Sequence, residues 1–453
     1  MAGISYDNYE FTCCEGDYMS DEANKIVVSV VIPVHNAAEY IADTLTAVLS
    51  QTLKEIEIIV INDCSTDNTL DIIRDISQKD ARVQIIDNIA NLGGGGSRNV
   101  GLDIAVGEYI IFLDDDDYIE SDMLEKMSAH AAETRVDVVV CRCQSFDPHS
   151  GIYAPISESI RADLLPREAV FQPQDIATDF FRAFVWWPWD KLFRREVIIS
   201  SGLRFQEIRT TNDLFFVCAF TLIARNISVL DEVLISHTIN RSGSLSATRA
   251  DSHRCALNAL IALKEFMQQK GLLDGRIKDY KNYAVVFLEW HLNTISGPAF
   301  SPLFDDVKAF IIDLDANKND FYDDFIAAAY QRIARLSADE YLFSLKDRVL
   351  KELEFSQANS ARLEQTIDIL EHKNSQLEQE LAAQQEEKQN FHNQLAQLNE
   401  QHSVLQNRYH IQEREIFDQR EKLESLQQHN VNIMGSLSWR LTKPLRLIRR
   451  FLK

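Results

Sequence analysis

KIVVSVVIPVHNAAEYIADTLTAVLS, residues 25–50, reads as a buried strand that runs into an amphipathic helix. Its first ten residues form a nearly unbroken Val and Ile run, which suits a strand covered on both faces. Ile41, Leu45, Val48 and Leu49 then keep helical spacing. The alternation repeats downstream. EIEIIVIND (55–63), RVQIIDN (82–88), EYIIFLD (108–114) and VDVVVCRC (136–143) are strand candidates separated by helical segments, with N-cap residues at Ser65 to Asp67 and at Ser121 to Asp122. Apolar strands alternating with helices predict an α/β fold, doubly wound on a mostly parallel sheet.

Working outward, residues 151–245 lose that regularity and carry aromatic clusters (FFRAFVWWPWDKLF, NDLFFVCAF), and the pattern from 250 to 340 looks helical. From Leu363 to Ile433 there is no Gly or Pro, and an alternating four-three repeat places apolar residues at 14 of 21 seam positions. That spacing predicts a coiled coil, and with it a homo-oligomer; the plainer alternative is one charged helix in solvent. The last segment, WRLTKPLRLIRRFLK, has six basic residues and no acid, which suits an anionic membrane surface or a docking helix. The expected organisation is an acidic tail (1–25), an α/β domain (26–246), a helical segment (247–340), a coiled coil (341–433) and a basic amphipathic tail (434–453).

The net charge of −23 argues against a nucleic-acid partner, because phosphate backbones repel an acidic surface. Seven cysteines without CxxC spacing point to a reducing cytoplasm. No run approaches the roughly 18 apolar residues of a membrane span, and the acidic start is unlike a secretion signal. The expectation is a cytoplasmic protein, at most peripheral on the inner face of a membrane.

Ligands of open parallel sheets bind outside the carboxyl ends of the strands. His35 and Asn36, Asp63, and Asp114 to Asp117 stand at those ends and should converge on one crevice. Four consecutive carboxylates raise one another's pKa unless a cation neutralises them, and hard oxygen ligands suit Mg²⁺ or Mn²⁺. Asp114 and Asp116, two apart, share a face of an extended strand. An acidic helix N-terminus in solvent is the rival reading. NLGGGGSRN (91–99) fits neither common phosphate fingerprint; it reads as a glycine loop open to a ligand or as a flexible turn.

These stretches together resemble the family-2 glycosyltransferases, inverting enzymes with the GT-A fold. The resemblance rests on VSVVIPVHNAAEYIADTLTAVLSQT, EIIVINDCSTDNT, GGGSRNVGL and GEYIIFLDDDD in that order, and continues more weakly through KLFRREVI, TTNDLFF and NRSGSLS to residue 246. It implies that Pro33 and Asp63 hold the nucleotide base and ribose and that Arg98 lies near the donor. It further implies that Asp114, Asp115 and Asp116 form the DxD motif, with Asp114 and Asp116 on the metal and Asp115 on the donor diphosphate, and that Asp213 is the general base. Asp190 and Glu207 are the neighbouring alternatives. Two positions depart from the family pattern: Asn212 stands where Glu is common, and Cys64 replaces the usual turn glycine.

Trp186, Trp187 and Trp189 read either as a platform for an acceptor sugar or as core, and His237 and Arg241 as contacts to the diphosphate or the acceptor. The resemblance implies transfer of a sugar from a nucleotide-sugar donor to a glycan or lipid-linked acceptor in cell-surface polysaccharide synthesis. The alternatives are a coiled-coil scaffold that binds the donor without catalysis, kept open by Asn212, and a sugar nucleotidyltransferase.

Overall fold

The computed structural model describes residues 25–240, 245–401 and 420–426, and the chain divides into two compact units after Tyr341. The stretch before Lys25, Arg241, the heptad positions at 402–419 and 427–433, and the basic segment 434–453 lie outside the described residues.

The first unit begins with the expected alternation: β1 (Val28–Val34), α1 (Ile41–Leu49), β2 (Ile56–Asn62), α2 (Thr69–Ser77), β3 (Val83–Asp87), α3 (Gly93–Ile104) and β4 (Tyr109–Phe112). All seven residues of β2 and six of β1 are buried, as two covered faces require. β1 pairs in parallel with β2 from Val28 opposite Ile56 to Val34 opposite Asn62, and with β4 on its other side. Then come β5 (Tyr118–Ile119), α4 (Met123–Thr134), β6 (Val138–Asp147), β7 (Ile152–Pro155), β8 (Val170–Phe171), β9 (Lys191–Arg194), α5 (Arg195–Ser201), α6 (Asn212–Ile223) and β10 (Ile227–Thr238).

The sheet runs β3-β2-β1-β4-β9-β6-β10-β5 and is mixed. It is parallel across its first four strands and again between β6 and β10, but β9 lies antiparallel between β4 and β6. The irregular stretch before Lys191 delivers β9 from the opposite direction, a placement that periodicity does not report.

α6 is apolar nearly all round and correspondingly buried. Phe216 of α6 stacks on Phe205 at 3.9 Å and meets Phe112 of β4 and Phe193 of β9 edge-on, at 5.6 Å in both cases. This ring cluster lies beneath the site and sets the N-terminus of α6 against the end of β4.

The rest of the unit is helical: α7 (Cys255–Gln269), α8 (Leu273–Thr294), α9 (Phe300–Asp313) and α10 (Asp324–Arg335). α11 (Ala338–Gln401) is a single helix of 64 residues, about 100 Å at 1.5 Å per residue, and supplies most of what is described of the second unit. No helix among the described residues is long and apolar enough to cross a membrane.

Candidate active site

A cleft of about 370 Å³ opens at the carboxyl ends of β1, β2 and β4. Pro33, Asp63, Arg98, Asp114, Asp115, Asp116 and Asp213 all line it, as do the three tryptophans and His237. The structure thus gathers these seven residues and His35 on one cleft, whereas Asn36 and Asp117, also expected there, are not among the residues that line it.

Asp63 follows β2 directly, and its backbone N–H donates to the Val34 carbonyl at 2.8 Å. Its carboxylate turns towards the start of α3: one oxygen accepts from the Leu92 N–H and from Asn88 Nδ2, at 2.8 and 2.9 Å, and the other from the Gly93 N–H at 2.8 Å. A carboxylate on the first N–H groups of a helix satisfies orphan donors and opposes the helix dipole. The residue after it, Cys64, has φ of 59°, the left-handed region in which a glycine costs less.

The glycine run is neither an open loop nor a flexible turn, because Gly93 to Gly96 form the first turn of α3. A Cβ at Gly95 would sit 2.1 Å from the Gln206 carbonyl oxygen, and one at Gly101 would sit 2.5 Å from Val31. The glycines let the helix approach the sheet and the 206–212 segment closely. Arg98, on the next turn, then reaches both walls: Nη2 donates to Asp114 Oδ1 at 2.6 Å and Nη1 to Asn212 Oδ1 at 2.8 Å. Asn212, the departure from the family pattern, is therefore occupied as the acceptor for Arg98.

The acidic row divides according to what each member touches. Asp114 is about a third exposed, whereas Asp117 is fully buried. Asp117 Oδ1 accepts from His237 Nδ1 at 2.8 Å, and Thr238 ties the same turn by donating its hydroxyl to the Asp116 carbonyl at 2.6 Å. One ligand atom each from Asp114, Asp117 and His237 lie within 4.8 Å of one another, and Asp117 Oδ2 is buried with no hydrogen-bond partner. Two carboxylate oxygens and an imidazole with one orphaned lone pair fit a divalent cation. Asp116 lines the same cleft but stands outside that trio; Asp117 and His237 complete it, a pairing that strand alternation does not reveal.

Burial by itself would lower His237, but Asp117, Asp114 and Asp116 push its pKa up to about 9. Its ring stacks on Trp189 at 5.0 Å, and Trp189 on Trp187 at 4.7 Å. Trp189 is 2% exposed and belongs to the core, whereas Trp186 and Trp187 are half-buried. Behind them Lys191, fully buried, donates to the carbonyls of Val185 and Trp187 and to Asp190 Oδ1, at 2.7, 2.9 and 2.7 Å. Asp190 is equally buried and held by that ammonium, which removes it as an alternative base; Glu207 is not among the residues that line the cleft.

Asp213 is the second residue of α6, half-buried. Burial pushes its pKa up to about 6 against the pull of Arg98, with Asp114 raising it further. A carboxylate poised near neutrality can accept a proton at working pH. Thr211, which caps the start of α6, has φ of 61°, a strained conformation for a β-branched residue. Arg209, Arg249 and Trp290 also line the cleft, and the sequence offers no local signal for them.

Residues 29–202 match the family described as Glycosyl transferase family 2. Among curated proteins, the chain is 32% identical over 215 residues to the uncharacterized glycosyltransferase EpsJ of Bacillus subtilis, covering 47% of this chain and 61% of that one. It is 30% identical over 283 residues to the cholesterol galactosyltransferase of Borreliella burgdorferi, covering 59% of this chain and 75% of that protein. Among solved structures, S. aureus TarS 1-349 in complex with UDP-GlcNAc is 22% identical, over 68% of this chain and 90% of that one, with a TM-score of 0.44.

Proposed function

From a chain that belongs to glycosyl transferase family 2, we propose an enzyme that moves a sugar from a nucleotide-sugar donor to a glycan or lipid-linked acceptor in cell-surface polysaccharide synthesis. The observation that carries the proposal is the orphaned oxygen of buried Asp117 beside Asp114 and His237, two residues that line the cleft together with Asp213.

Pro33 and Asp63 receive the base and ribose side of the donor, Asp63 through the backbone it orders as much as through its own oxygens. Asp114, Asp117 and His237 would hold Mg²⁺ or Mn²⁺, with Asp115 and Asp116 alongside to orient the donor diphosphate. Bound there, the cation supplies neutralisation of the charge that develops on the departing nucleoside diphosphate. Arg98 holds Asp114 and Asn212 in place between the two walls. Asp213 accepts the proton of the acceptor hydroxyl as that oxygen attacks the anomeric carbon from the face opposite the diphosphate. Because Asn212 serves Arg98, its presence leaves the base intact, which favours catalysis over a donor-binding scaffold.

The metal reading is tested by calorimetry with UDP and GDP. Nucleoside diphosphate binding should need Mg²⁺ or Mn²⁺ and vanish in Asp114→Ala; undiminished affinity in EDTA would sink it.

The second unit supports self-association as a coiled coil. Leu342, Val349, Leu353 and Phe391 of α11 are all exposed apolar residues, with Phe391 on the heptad seam. Truncation after residue 340 should then lower the mass in solution by more than the deleted residues, and an unchanged subunit number would refute this. The enzyme would work in the cytoplasm, with the basic segment 434–453 at an anionic membrane surface.

A further inference from the structure

Asp213 sits two residues after a strained point in the chain. Thr211 has φ of 61°, a conformation that costs a β-branched residue free energy and persists only where the surroundings impose it. The chain reads Thr-Thr-Asn-Asp at 210–213, without the glycine that would take this turn freely. The Thr211 side chain makes no capping hydrogen bond that would hold it there.

Its two neighbours are held instead. On one side Asn212, buried, accepts from Arg98 Nη1 at 2.8 Å. On the other Thr210, equally buried, shares a hydroxyl hydrogen bond of 2.9 Å with Ser252. Ser252 is buried too, so opening that bond would strand two hydroxyls away from water, which makes the tie costly to break. Ser252 ends the turn Leu245–Ser252, and the residue after it is fixed to α8, where His291 Nε2 donates to the His253 carbonyl at 2.6 Å. The tie thus runs from the helical segment to the base, and both of its ends lie after residue 202, where the family match ends.

Relaxing Thr211 to the ordinary helical region would turn its φ by roughly 120°. The start of α6 would shift with it, and Asp213 stands on the first turn of that helix. Resting on the reading of Asp213 as the base, we propose that Ser252 is a positioning residue: its hydroxyl, bonded to that of Thr210, holds Thr211 in the left-handed conformation that presents Asp213 to the cleft. The helical segment then sets the geometry of proton transfer without touching the donor.

The test uses the full chain with Mn²⁺. Crystal structures, calorimetry with UDP and GDP, and hydrolysis of UDP-GlcNAc, UDP-glucose and GDP-mannose are compared for the wild type, Ser252→Ala, Thr210→Val, Ser252→Ala/Thr211→Gly and Asp213→Asn. Ser252→Ala should take residue 211 out of the left-handed region and displace the Asp213 carboxylate. Its kcat for hydrolysis should fall at least about tenfold while nucleotide affinity changes by less than about twofold, since a misplacement of about 1 Å is enough for such a loss. Thr210→Val, which removes the other hydroxyl, should do the same. Glycine at 211 keeps the left-handed conformation without the tie, so the double variant should recover kcat to within about threefold of the wild type, a rescue that mere loss of packing at residue 252 would not show. A left-handed residue 211 in both single variants, unchanged hydrolysis by both, or a double variant as slow as Ser252→Ala would overturn the positioning role while leaving the base standing. Full hydrolysis by Asp213→Asn, or a wild type that binds neither nucleotide, overturns the reading beneath, and this inference with it. Where the wild type binds nucleotide but hydrolyses none of the three donors, the conformation of residue 211 in the crystals decides alone.

Discussion

The two walls of the cleft are built in opposite ways. The donor wall, from Pro33 to Asp116, consists of residues at the ends of neighbouring parallel strands together with the first turns of α3, each placed by a few residues of local chain. The facing wall gathers Trp186 to Trp189, Arg209 to Asp213, His237, Arg249 and Trp290 from five separate segments. Its geometry depends on contacts between distant parts of the chain: the ring cluster under α6, the buried ammonium of Lys191 and the bond from Thr210 to Ser252. The contrast teaches that charge on the donor wall can be read from motif position, whereas each side chain on the facing wall takes its role from its partner.

The sharpest way to break this division is Asp213→Asn. If the facing wall carries the proton transfer and the donor wall carries the nucleotide, kcat should fall by roughly 10² to 10⁴ with donor affinity nearly unchanged. Turnover and donor titration measured together decide it, and a variant that loses donor binding would erase the distinction between the walls.

Lys191→Met asks whether the facing wall depends on burial. Removing the ammonium leaves the Asp190 carboxylate without its counter-ion in the core, where one of its oxygens already lacks a partner. A loss of about 3–5 kcal/mol is expected in denaturant titration, because one member of a buried pair is left uncompensated. A change under about 1 kcal/mol would show that the tryptophan segment is held by packing alone.

The smallest effect is in pH dependence. Burial raises Asp213 to about 6, and the base must be ionised to act, so kcat/KM should hold above pH 6 and decline about tenfold per unit below it. An acid limb near pH 4 would indicate a solvated carboxylate and weaken the assignment.

The α/β alternation, the strand boundaries near 28, 56, 83 and 109, and the acidic row at the end of β4 were legible because runs of Val and Ile report burial directly. The antiparallel insertion of β9 was not, since a four-residue strand after an irregular stretch carries no periodicity. Nor was the helical start of α3, where four glycines hide a helix that exists because it must approach Val31 and Gln206 closely.

By itself the sequence determined which residues could carry charge into the cleft and the family whose donor motifs they match, because strand periodicity and motif spacing are properties of neighbouring residues. Only the tertiary structure decided how that charge is used. It paired His237 with Asp117 across 120 residues and Arg98 with Asn212 across 114, withdrew Asp190 into the core beside Lys191, and set Arg209 and Arg249 along one cleft. Coulombic and hydrogen-bond energies depend on distances of a few ångströms, and separation along the chain does not contain them.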